Sequence, residues 1–210
     1  MATNPTGGTH APLIQRVKNI LTTPKTEWPV IDSEPATIAG IYKNYVMILA
    51  AIGPICMLIG LLVFGMPLVT FSMGYLLAQA VITYVMALIG CYVLALIIDA
   101  LAPTFGGTKD MVKAFKVAAY SSTAAWVVGI FYLLPLLAIL GIIGGLYSLY
   151  LLYLGLPVLM RTPADKAVVY TVAVIVAAIV IYIVIGAITS QILYAMMPAP
   201  ALTLPAGFPG

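Results

Sequence analysis

Few residues in this chain could do chemistry, and most of them gather in Asp99–Ser122, DALAPTFGGTKDMVKAFKVAAYSS. Asp99 is the one acid beside the hydrophobic part of an apolar run. An ionisable group deep in a membrane span marks a functional site, whereas one near the end of a span reaches headgroup water or caps the next turn. Behind Asp99, Pro103 and the pair Gly106-Gly107 supply a turn. A glycine pair can cradle an anion, but the rest of a phosphate-loop pattern is missing here. Lys109, Lys113 and Lys116 follow at spacings of four and three and so share a helical face. Such a face touches lipid phosphates or docks a soluble partner.

A second set lies further on. Tyr147, Tyr150 and Tyr153 recur every three residues along one apolar run. Outward-facing, they are packing and interfacial anchors. Inward-facing, Tyr150 and Tyr153 would line a polar cleft with Asp99, Tyr120, Ser121 and Ser122. No Ser/His/Asp set or paired acids occur in the apolar runs, so the reading is non-enzymatic. The one histidine, His10, has no Cys/His cluster around it, and neither a zinc site nor any cofactor is expected. Cys56 and Cys91 sit in apolar runs and are expected as free thiols behaving as small hydrophobes. Nothing points to nucleic acid.

The elements that position these residues belong to a membrane. Of the 210 residues, 63% are hydrophobic and 7% charged, and the mean hydropathy is +1.15. Soluble domains carry about a quarter charged residues, so nine cations and six acids cannot clothe a soluble core of this composition. Five apolar segments emerge, at about 44–65, 74–101, 120–134, 136–159 and 167–194. Tyr120–Leu159 is uncharged and about 60 Å long as a helix, twice the hydrocarbon thickness, so it divides into two spans with the turn at Pro135. Ala87, Cys91 and Ala95, and the GxxxG pair Gly141 and Gly145, offer small-residue rows for close helix approach. The expected fold is all-α, a polytopic membrane protein with five transmembrane helices.

Residues 1–43 read as a tail with a short amphipathic helix at 13–23. Leu13, Ile14, Val17, Ile20 and Leu21 form its apolar stripe, with Arg16, Lys18 and Asn19 assigned off it. The helix is expected in the lipid interface, its cations near anionic headgroups and Trp28 at the same level. Met1–Pro12 is expected to be disordered, no cleavable signal peptide is apparent, and Ser33-Glu34-Pro35 reads as a helix start. With five spans, Arg16, Lys18, Lys25, Lys43, the three loop lysines, Arg161 and Lys166 share one side. The positive-inside rule makes that side cytoplasmic and places the Pro-rich tail 196–210 in the periplasm.

Several segments resemble the bacterial branch of the Yip1 family of integral membrane proteins. They are RVKNILTTPKTEWPVI, the proline-bearing AAIGPICMLIG, APTFGGTKDMVKAFKVAAYSSTAAW and LYSLYLLYLGLPVLMRTPADKAVVYTVAV, covering about Val17–Gly186. The resemblance implies five spans, a cytoplasmic N-terminus and an inner-membrane setting. It carries no catalytic motif, and the Rab GTPases linked to eukaryotic relatives would have no counterpart. Ala124-Ala125 stands where family members often have proline. Two roles remain open: a scaffold or adaptor whose basic face, Arg16, Lys18, Lys109, Lys113, Lys116 and Arg161, meets anionic lipids or a protein partner, and a carrier or channel built around Asp99. Five spans do not halve, so any repeat symmetry would have to come from a homo-oligomer.

Overall fold

The computed structural model describes residues 12–65 and 72–196. The expectations for Met1–Pro12, for the break and uncharged connection after Gly65 and for the tail 196–210 fall almost wholly outside those residues. Two short helices, α1 (Leu13–Thr22) and α2 (Pro24–Ser33), precede five helices long and apolar enough to cross a membrane. These spans are Ile38–Phe64, Met73–Phe105, Met111–Leu133, Leu136–Met160 and Ala164–Ala195. No strand occurs among the described residues.

Local chemistry sets the boundaries. Pro24 occupies the first position of α2, where a missing N–H costs nothing. Ser33-Glu34-Pro35 ends that helix instead of starting the next. Ser33 Oγ donates back to the Val30 carbonyl, and Glu34, preceding a proline, is held extended. The first span is capped by Thr37, whose Oγ1 accepts from Gly40 N, so it begins six residues before the expected Asn44. Its second turn widens into a π-turn at Tyr42–Val46. Asp110 caps the third span by accepting from Val112 N and Lys113 N, and the lysine face is therefore the opening of that span, not a separate interfacial helix. The third span closes in a 3-10 turn, Gly129–Leu133; Leu134 is extended before Pro135, and the fourth span returns from there.

The third span is the centre of the bundle, touching the first, second and fourth, while the fifth packs against the second and fourth from outside. Glycines permit the closest crossings. A Cβ on Gly129 would stand 2.8 Å from the Gly53 Cα, and one on Gly60 would meet the Leu133 carbonyl. Of the GxxxG pair only Gly141 works this way, against Tyr132; Gly145 faces open space, and Gly144 makes the tight contact with Val128 and Ala124 instead. Of the small-residue row, Cys91 and Ala95 are buried and Ala87 is half-buried, and both cysteines are free.

The core lies toward one end, among Ile20, Trp28, Ile31, Val46, Ile98, Phe115, Leu156 and Tyr170. The loops 102–110 and 160–164 meet at that end, where Thr108 N donates to the Met160 carbonyl. Toward the other end, large apolar side chains such as Phe64, Ile142 and Leu146 face outward.

Candidate functional site at the polar end

The α1–α2 hairpin is folded onto the bundle and does not lie free in the interface. Ile20 is buried, while Ile14 of the same stripe is 82% exposed. Trp28, expected at the interface, is fully buried with its ring over Gly155 of the fourth span, where a Cβ would come within 2.6 Å of it. Tyr147 Oη donates to the Leu21 carbonyl at 2.7 Å and ties α1 to the fourth span. With only ten residues each, neither helix is long enough to be stable alone; tertiary packing holds them.

Arg16 departs most from expectation. It is 3% exposed, with Nη1 donating to Glu27 and Nη2 to Glu34, and it stands 5.8 Å from the centre of the Tyr120 ring. It is therefore not part of an exposed basic face in this fold. Three residues after Leu13 and four before Ile20, it sits on the apolar stripe itself, and the hairpin turns that stripe inward. Burial acts to lower its pKa, but the Glu34 hydrogen bond and the two carboxylates outweigh it, leaving the pKa raised. Asn19 Nδ2 completes the cluster by donating to Glu27.

Lys116 is also turned inward, 4% exposed. Its Nζ donates to the carbonyls of Ile31 (2.6 Å) and Glu34, which end α2 without helical partners. Lys113 pairs with Asp32 at 2.7 Å. Three acids of the hairpin and linker thus meet Arg16 and the third span's lysines. Lys18, Lys109 and Arg161 do remain exposed.

The residues proposed for one cleft border different spaces. Tyr120 lines a cavity of about 400 Å³ with Arg16, Glu34, Thr37, Asn44 and Tyr45. Ser121 and Ser122 line another, about 410 Å³, with Trp126, Ser148 and Tyr182. Tyr150 borders a third beside Thr22–Thr26, and Tyr153 is exposed. Asp99 is 7% exposed, with Oδ2 3.8 Å from the Lys109 ammonium and Oδ1 without a hydrogen-bond partner. Above it, Tyr170 Oη donates to the Ile98 carbonyl. Among the described residues no group of three or more His, Cys, Asp or Glu side chains is arranged to hold a metal.

Against known families, the Yip1 domain model matches residues 18–186. The chain belongs to the Yip1 family. No curated protein and no solved structure matches it. The Yip1 match takes in Glu27, Glu34, Lys113, Lys116 and Tyr120 but begins two residues after Arg16, the cation that joins the two glutamates. The sequence reading gives Glu27 no role and places Glu34 only in a helix start, not as partners of Arg16. The available signal was three acids, Glu27, Asp32 and Glu34, crowded between α1 and the first span, half of the six in the chain.

Proposed function

We propose that this Yip1-family membrane protein is a non-enzymatic scaffold or adaptor of the inner membrane. Its polar end is cytoplasmic and offers a basic rim to anionic headgroups or to an acidic protein surface. One observation supports the reading. Arg16, Lys116 and Lys113 are drawn into pairs with the hairpin and linker, Asp99 is buried beside Lys109 and Asp110 is a helix cap. Lys18, Lys25, Lys43, Lys109, Arg161 and Lys166 are left exposed against Asp165 as the only exposed acid, all within the described residues. Juxtamembrane cations attract anionic lipid by about 1 kcal/mol each near the surface, and their collection on one side supports the cytoplasmic assignment.

The test is the partition of spin-labelled phosphatidylglycerol against phosphatidylcholine around the full chain in vesicles. Enrichment of the anionic lipid that falls as salt rises, and falls again in Lys18→Gln/Lys25→Gln/Lys109→Gln/Lys166→Gln, is the expected result. Equal partition would remove the lipid arm of the proposal. The carrier reading keeps one point in its favour, the unpartnered Asp99 Oδ1. Asp99→Asn that folds normally and leaves solute or lipid flux across proteoliposomes unchanged would dispose of it.

A further inference from the structure

We infer that the cavity between α1, the Glu34–Thr37 linker and the opening of the first span binds a zwitterionic group, one bearing a phosphate-like anion and an ammonium together. At about 400 Å³ its volume suits a headgroup-sized ligand. Arg16 and Glu34 both line it. A ligand with only negative charge would meet the Glu34 carboxylate, and one with only positive charge would meet the Arg16 guanidinium. A group carrying both signs satisfies both walls. The guanidinium has five N–H donors, of which Nη1 and Nη2 each give one to a glutamate, so it retains donors for a third oxyanion. Tyr45 and Tyr120, set edge to face with ring centres 4.7 Å apart, add π-surface suited to an ammonium.

The place fits a lipid source. Tyr120 lies nine residues into the third span, about 14 Å along it, while Glu34 and Pro35 lie before the first span begins. The cavity thus runs from the polar linker into the end of the bundle, across the depth where headgroups meet acyl chains. Its inner wall carries the π-turn Tyr42–Val46, a local departure from α-helix of the kind found at functional sites. The buried Tyr45 of that turn shares a hydrogen bond with Thr123 Oγ1 at 2.7 Å and is among the residues lining the cavity. The inference is independent of the basic rim.

The experiment is a thermal-shift titration of the purified full chain in detergent, in about 1 M salt so that the rim is screened to about 3 Å. The probes are dioleoyl-phosphatidylethanolamine, dioleoyl-phosphatidylglycerol and the water-soluble glycerophosphoethanolamine. Phosphatidylethanolamine should bind at least about tenfold more tightly than phosphatidylglycerol, the worth of one charge-assisted contact. Ala36→Trp, which puts a ring into the cavity and replaces no member of an ion pair, should abolish that preference. Binding of the lipid alone identifies a headgroup held with its chains; equal binding of glycerophosphoethanolamine identifies a free zwitterion. Equal affinity for the two lipids overturns the inference on the unaltered chain, and an undiminished preference in folded Ala36→Trp overturns its location. Either failure leaves the salt-sensitive enrichment at the rim intact.

Discussion

The third and fifth spans are both long enough to cross a bilayer, yet 67% of the third's most apolar window is buried against 22% of the fifth's. The buried one is the less apolar of the two. A soluble protein would be arranged the other way round. In lipid, apolar side chains lose nothing by facing outward, whereas polar and ionisable groups need partners within the protein. Lys116, Tyr120, Ser121, Ser122 and Thr123 are therefore interior on the third span, while Val176, Ile179, Val180 and Ile183 face out from the fifth. The hairpin and linker extend the same logic: Asp32 pairs with Lys113, the Ile31 and Glu34 carbonyls take up Lys116, and Trp28 fills the notch at Gly155.

The largest effect should come from breaking that polar centre. Arg16→Met leaves Glu27 and Glu34 without their shared cation and should cost about 3–5 kcal/mol, read as a fall in the unfolding midpoint in detergent. Lys18→Met, exposed two residues along, should stay within about 0.5 kcal/mol. Equal effects would erase the distinction. With its pKa raised, Arg16 contributes fully at every pH below the ordinary arginine value and loses its contribution only above it, so its own titration adds no pH dependence in the working range.

Next is the notch. Gly155→Leu drives a side chain into the Trp28 ring and should cost about 3 kcal/mol, with red-shifted tryptophan emission and protease cleavage within residues 12–33. The fifth span should respond less. Tyr170→Phe loses one hydrogen bond to the Ile98 carbonyl, about 1 kcal/mol. Val180→Leu, facing outward, should lie within about 0.5 kcal/mol by the same midpoint. A large loss at Val180 would mean that the fifth span is covered by another chain.

Much of this fold was legible because apolar length and charge placement are local properties. The need for two spans in Tyr120–Leu159 and the turn at Pro135 follow from such reading, and the quoted segments carried the family. The polar end was less legible. Periodicity shows which residues of α1 share a face but not what that face meets, and a membrane context offers the interface as the default. A charge such as that of Arg16 looks out of place on an apolar stripe, although its spacing from Leu13 and Ile20 puts it there. Its partners lie 11 and 18 residues away, beyond any helical spacing. Spacing alone makes the lysine face a surface, because only the cap at Asp110 shows that the third span starts there. The cleft failed for a related reason: nearness to one end of a bundle does not place side chains around one space.

Hydrogen exchange of the full chain in lipid nanodiscs tests the central claim most directly, that the hairpin is a fixed part of the bundle seated on its third and fourth spans. The account predicts amides of Arg16–Ile31 protected to a degree comparable with those of Ala114–Ser121, and lost together with the hairpin's docking in Arg16→Met. Exchange of Arg16–Ile31 at the rate of an unstructured segment, with the third span still protected, would contradict it.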